Sequence, residues 1–228
     1  MKRVTFLILF VLFVVVWPVR SQTPSTAVDY FNRGAERQKA GDLDGAIANY
    51  NKAIEIDPRY AAAYNNRGGE RQAKGDHDGA IADYTKAIEI NPRFALAYYN
   101  RGDALKAKGD LEGTISDYNK YIELEPRDPD GYNALAWLLA TSNREAIRDG
   151  KKAVEYARKV AELTKWEDAN VLDTLAVAYA EEGNFDEAIK WENKALSFPE
   201  FAKTSGDEAR KHLQLYAERK PYHEPQPK

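Results

Sequence analysis

Side chains able to do chemistry are few, and their spacing does not assemble them. The three histidines, His77, His212 and His223, lie far apart and share no metal-ligand spacing. Cysteine is absent, so the chain has no disulfide, thiolate zinc site or cysteine nucleophile. The runs "GDLDG" and "GDHDG" bring acids together as a calcium loop does. They lack the later carboxylates and the distal glutamate, so they read as helix-capping turns. No glycine-rich phosphate loop follows a strand signal, and no Ser is tied to a His or Lys as a nucleophile would be. The expectation is a non-catalytic protein with no cofactor and no metal site. The polar groups that do recur are Arg33, Arg67 and Arg101, preceded by Asn32, Asn66 and Asn100. Each set is spaced by 34 residues.

That spacing belongs to the whole sentence in which the residues stand. Blocks 27–60, 61–94 and 95–128 align without gaps, and the first two agree at 23 of 34 positions. A period of this length signals a solenoid of stacked units. Within each block two helical patterns meet at Gly41-Asp42, Gly75-Asp76 or Gly109-Asp110. The glycine can close the first helix in a left-handed conformation and the aspartate can cap the second. Pro58, Pro92 and Pro126 then stop the second helix. Leu43, Ala46, Ile47, Tyr50, Ala53 and Ile54 fall on one apolar stripe. Tyr30, Tyr64 and Tyr98 precede Gly34, Gly68 and Gly102 by four, pairing a bulky knob with a residue that permits close helix approach.

The aromatic at position 4, glycine at 8, the Ala46/Tyr50 and Ala80/Tyr84 pairs at 20 and 24, and proline at 32 resemble the tetratricopeptide repeat. One register holds through three blocks. Departures are Arg33, Arg67 and Arg101 at position 7, where leucine is usual, and Arg37 and Arg71 at position 11. Residues 129–168 and 169–200 read as two more divergent blocks, the fourth with the loop "TSNREAIRDG" inserted as a spacer. The resemblance implies an all-α superhelical solenoid of about five helix pairs. Residues 201–220 follow as a capping helix entered by a Ser205/Glu208 capping box, then 221–228 as a proline-rich flexible tail.

Positions 7 and 23 vary together. Arg67 and Arg101 accompany Asp83 and Asp117, Arg33 accompanies Asn49, and Leu135 and Leu175 accompany Tyr156 and Trp191. The two positions are therefore expected to touch, within a block or between neighbours, with the arginines serving structure rather than an anionic ligand.

The resemblance also implies that first helices line a concave groove. Its expected lining is Phe31, Asn32, Asn65, Asn66, Gln72, Tyr99, Asn100, Lys106, Asn133 and Trp137. Asn32, Asn66 and Asn100 would stack as an amide ladder able to pair with an extended peptide backbone. Phe31 and Leu96 stand where cations help some family members hold a C-terminal carboxylate, which points away from that mode. The expected partner is a protein or peptide held in an open groove, with self-association as the alternative.

The N-terminus stands apart. Lys2 and Arg3 precede an uncharged run of 14 residues, Val4 to Trp17, short of the ~20 that span a bilayer. Residues 1–21 read as a secretory signal cleaved after Ser21, with 22–26 a short linker. The reading is that of an exported protein of the periplasm or cell envelope, with an inner-membrane anchor through residues 4–17 as the alternative. A membrane partner follows only if that segment stays. Cleavage would leave 30 basic against 36 acidic residues, with no basic block for a nucleic acid.

Overall fold

The computed structural model describes residues 26–225. The expectations for residues 1–25 (signal, anchor and most of the linker) and for the last three residues of the tail lie outside that range. Among the described residues, no helix is long and apolar enough to cross a membrane. All their regular structure is helical: α1 (Ala27–Lys39), α2 (Leu43–Ile56), α3 (Ala61–Ala73), α4 (His77–Ile90), α5 (Ala95–Lys108), α6 (Leu111–Leu124), α7 (Pro129–Thr141), a 3₁₀ turn (Glu145–Ile147), α8 (Gly150–Leu163), α9 (Ala169–Glu182), α10 (Phe185–Leu196), α11 (Pro199–Thr204) and α12 (Gly206–Ala217). Helices α1 to α10 form five consecutive pairs, each packed on the next, and α12 lies on α10 and touches α9.

The turns form for the reasons the sequence suggests. Gly41, Gly75 and Gly109 have φ of +74°, +82° and +79°, a region costly to any residue with a Cβ. Asp42, Asp76 and Asp110 each accept the backbone N–H of the residue three further on, at 2.9 Å. That residue is Gly45, Gly79 or Gly113. A Cβ there would meet the capping carboxylate at 2.2, 2.1 or 2.7 Å. The first acid of each run, Asp42 or Asp76, is thus spent on capping, and the second, Asp44 or Asp78, pairs with Lys74 or Lys108 of the next helix pair.

Packing within the first three pairs differs in one respect from the expected knob. The ring lying on Gly34, Gly68 and Gly102 is that of Tyr50, Tyr84 or Tyr118, from the second helix of the same pair. A Cβ on those glycines would come within 2.5, 2.8 and 2.8 Å of it. Tyr64 and Tyr98 instead lie beneath Arg67 and Arg101, the guanidinium carbons 5.3 and 5.7 Å from the ring centres.

The C-terminal cap also differs. Two helices replace one, because Ser205 ends α11 and begins α12 at once, its N–H donating to Phe201 at 2.8 Å. With φ −119° and ψ −1° its hydroxyl caps nothing, and the expected capping box is not made. Ala209 and Tyr216 are buried on the inner side of α12, while Lys211, Gln214 and Glu218 face out.

Candidate partner-binding groove

The arginine seam is structural. Arg67 donates from Nε and Nη2 to the two Asp83 oxygens at 2.8 and 2.5 Å, and from Nη1 to Asn51 of the preceding pair at 2.6 Å. Arg101 repeats this on Asp117 at 2.7 and 2.7 Å, with Thr85 at 3.2 Å. Contact between positions 7 and 23 thus occurs within a pair, and the same fork reaches its neighbour. Arg71 adds a third donor to Asp83 at 2.9 Å. The Asp117 hydrogen bond raises the Arg101 pKa further, fixing its charge. In the first block the pairing lapses: Asn49 gives its amide to Gly45 O at 2.6 Å, and Arg33 is exposed.

The amide ladder is rearranged. Asn100 donates to Asn65 at 3.0 Å, Asn65 to Asn66 at 3.3 Å, and Asn66 to the Tyr50 hydroxyl at 3.4 Å. Position 5 therefore bridges successive position-6 amides. Asn65 is buried at its centre and Asn32 is exposed at its open end. One N–H of each of these three amides thus serves the array's own cohesion. Phe31 packs on Tyr50 and Tyr60 at 5.6 and 5.0 Å, and Tyr99 on Tyr118 and Tyr121 at 5.5 and 5.1 Å. Both are half-buried. Burial pushes the Tyr99 pKa up to about 12, so the ring stays neutral. Gln72 accepts the Tyr84 hydroxyl at 2.9 Å. Asn133 keeps a buried amide oxygen with no hydrogen-bond partner among the described residues.

Trp137 and Lys106 meet something the sequence did not announce. After α12 the chain turns at Arg219, which has φ +56°, and Lys220 N–H closes on Leu215 O at 2.9 Å. Residues 221–225 then run across the first helices of the third to fifth pairs. Tyr222 lies 4.5 Å from the His212 ring and 6.3 Å from Trp137. His223 Nε2 sits 2.7 Å from Glu181, which also accepts Arg148 Nε at 2.9 Å. Glu224 donates its backbone N–H to Thr141 O at 2.7 Å. Its carboxylate accepts Trp137 Nε1 at 2.7 Å and Lys106 Nζ at 3.3 Å. Asn143 Nδ2 reaches Pro225 O at 3.5 Å.

Two expectations change here. The segment read as a flexible tail is held over residues 221–225, because half-buried donors on α5 and α7, Lys106 and Trp137, take the Glu224 carboxylate. And the groove is not open along its length; its later half carries the chain's own C-terminal segment. Beside Glu224 a cleft of about 720 Å³ continues toward the earlier pairs, bordered by Gln72, Asp103, Lys106, Leu138 and Arg144. Burial raises the Asp103 pKa, although the Tyr118 hydroxyl at 2.5 Å and nearby Lys106 pull it back. The 141–150 loop is a brace rather than a spacer. Arg144 donates to Gly109 O at 2.6 Å and Ile147 is buried against Leu111 and Leu138.

Chemically, the docked segment shows what this surface accepts. A carbonyl takes the N–H of an extended chain whatever its sequence. An indole N–H and an ammonium take a carboxylate. Gln72, Lys106 and Trp137 from the expected lining converge on this region. Phe31, Asn32 and Asn66 belong to the earlier pairs.

Family models agree with this architecture. One described as TPR repeat matches residues 30–69 and 71–109, and one described as tetratricopeptide repeat matches 95–128 and 169–200. None of the curated proteins matches the chain. Among solved structures it is similar to the crystal structure of MamA protein, at 25% identity over 78% of this chain and 93% of that one, with a TM-score of 0.65. A tetratricopeptide repeat protein from Parabacteroides merdae ATCC 43184 superposes with a TM-score of 0.72 at 19% identity, covering 85% of this chain and 74% of that one. YrrB, whose structure is described as a TPR protein with an unusual peptide-binding site, gives 0.63 at 21% identity, over 84% and 90%. With its glycine–aspartate turns, stacked helix pairs and matched repeats, the chain belongs to the tetratricopeptide repeat family.

Proposed function

We propose that the protein is an exported adaptor that grips a protein partner as an extended, acidic segment in its groove, making and breaking no bond. The tetratricopeptide repeat fold suggests a scaffold for protein–protein interaction, and the family is generally non-catalytic. The observation that carries the finer reading is the docking of residues 221–225. One backbone bond and two carboxylate bonds hold Glu224 in a groove that continues past it. A partner with the same chemistry would take those donors in place of the tail, so the tail competes with it. Export rests on the sequence of residues 1–21.

The test is to supply the tail in trans. A chain ending at Lys220 should bind a synthetic peptide of residues 219–228, followed by Trp137 fluorescence. Glu224→Ala in that peptide, or Lys106→Ala in the protein, should weaken binding about 10-fold, as loss of a hydrogen bond to a charged group implies. From an envelope extract the shortened chain should capture more of its partner than the full chain does. A shortened chain that stays helical yet ignores the peptide would overturn the reading. Tail exchange between two copies would show instead as a doubled mass that truncation abolishes.

A further inference from the structure

The fifth helix pair departs from the first three at one buried position. Tyr50, Tyr84 and Tyr118 occupy position 24 of their blocks and fill the space over the position-8 glycine. In the fifth block that position is Glu192, which is 0% exposed. An ionised carboxylate so placed carries a large desolvation cost unless something compensates it. Two side chains from other helices converge on it, Asp173 of α9 and His212 of α12. One ligand atom from each of the three residues lies within 4.8 Å of the others. His212 Nδ1 stands 3.4 Å from Asp173 Oδ1 and 3.7 Å from Glu192 Oε1. Neither Glu192 oxygen makes a hydrogen bond among the described residues, and neither does His212 Nδ1. The buried hydroxyl of Tyr216, one turn beyond His212, also makes none.

Charge decides what fits. Two carboxylates face one imidazole. A protonated imidazole balances one carboxylate and leaves the other as a buried anion or an acid. A divalent ion leaves both carboxylates ionised and the imidazole neutral, and it uses the lone pairs that now have no partner. One nitrogen and several carboxylate oxygens, without thiolate, suit a first-row transition ion; calcium and magnesium prefer oxygen alone. We infer that Asp173, Glu192 and His212 form a binding site for one divalent transition-metal ion of the zinc or cobalt class, fastening α12 to the last helix pair. Burial raises the Glu192 pKa, and that of His212, which burial alone would lower, is raised by Asp173 and Glu192. The Tyr222 ring lies 4.5 Å from the imidazole, so the site sits beneath the root of the docked tail. A surface cleft bordered by Lys211, Leu215 and Tyr222 reaches His212 from outside.

The experiment uses the untagged full chain, stripped with a chelator and titrated with Co²⁺ and then Zn²⁺. One ion should bind per chain, with the visible d–d bands of protein-bound Co²⁺, bleached by Zn²⁺, and a raised melting temperature. Glu192→Gln keeps the shape and removes a buried charge, so it should fold, as circular dichroism would verify. It and Asp173→Asn should weaken binding more than ~100-fold, since losing a ligand exceeds the 10–100-fold typical of an outer-shell partner. His223→Ala, which alters the neighbouring Glu181 contact, should leave the affinity unchanged. Absence of Co²⁺ bands from the wild-type protein would overturn the proposal and leave a proton-sharing cluster. So would binding that survives Glu192→Gln but disappears with His223→Ala.

Discussion

Between α1 and α6 the seam of the solenoid is Tyr on Gly and Arg on Asp; between α7 and α10 it is Leu, Ala and Trp. The early half buries Tyr84 in a small cluster with Ala80 and Ala104, hands Tyr118 to the core of the later half, and satisfies Arg67 and Arg101 with the carboxylates of Asp83 and Asp117. The later half gathers Leu135, Ala136, Ala157, Leu175 and Ala176 into one extended core, with Tyr156 and Trp191 packed against it. Both solve the same geometric problem, joining position 7 to position 23. The early solution is directional and repeats itself in register. The later one is apolar, and apolar packing tolerates substitution so long as volume is kept. That tolerance left room for the groups with chemical character: Trp137 under the tail, and Glu192 in the tyrosine position.

The comparison can be broken by converting one seam into the other. Arg101→Leu alone leaves Asp117, 4% exposed, as a buried charge without its fork, and should cost ~3–5 kcal/mol. Arg101→Leu with Asp117→Tyr copies the Leu135/Tyr156 seam and should recover most of that loss. Urea unfolding of the single and double variants measures the difference. A double variant no more stable than the single one would mean that the two seams are not interchangeable.

A smaller effect separates two adjacent glycines. Gly68→Ala would put a Cβ 2.8 Å from the Tyr84 ring. Overpacking of that kind costs ~1–3 kcal/mol, more than the ~1 kcal/mol that alanine gains in helix propensity. Gly69→Ala meets only the Tyr84 hydroxyl, at 3.8 Å, and should gain up to ~1 kcal/mol. Opposite signs at neighbouring positions, read as midpoints of thermal unfolding, would locate the constraint in the tyrosine seam. The later half has already made the compensated change: Ala136 stands at position 8, and the residue after Tyr156 is Ala157 rather than tyrosine.

What the sequence disclosed follows the same division. In the early half a fixed period placed every turn, cap and stripe in one register, and the link between positions 7 and 23 was visible because five blocks could be compared. Asn66 and Asn100 were placed together, but their hydrogen bonds were not, since Asn65 intervenes from position 5 only in three dimensions. In the later half the signals are not periodic. "PYHEPQPK" has the composition of a free tail, and nothing local tells that Trp137 and Lys106 wait for Glu224 across 87 and 118 residues. Asp173, Glu192 and His212 come from three helices and share no spacing. One signal was legible: an acid at a position the other blocks give to tyrosine.

The junction between α8 and α9 offers the mildest test. Early junctions are made by a proline turn in which Asp57 or Asn91 accepts the N–H two residues on, at 2.9 and 3.1 Å. The later one carries two consecutive left-handed residues, Lys165 at φ +55° and Trp166 at φ +63°, each costing ~1–2 kcal/mol relative to a residue without a Cβ. Trp166 repays its share by stacking on Trp191 at 5.0 Å and donating its N–H to Ala161 O at 2.7 Å. Lys165 is exposed, and its return is limited to a backbone N–H donated to Glu162 O at 3.2 Å. Lys165→Gly should therefore raise stability by ~1 kcal/mol, less the entropy that glycine gains in the unfolded chain. Trp166→Gly relieves the same strain but loses the stack, and should destabilise. If both substitutions destabilised alike, the Lys165 side chain rather than its backbone would be holding the turn, and this junction would be as specified by contacts as the proline turns of the early half.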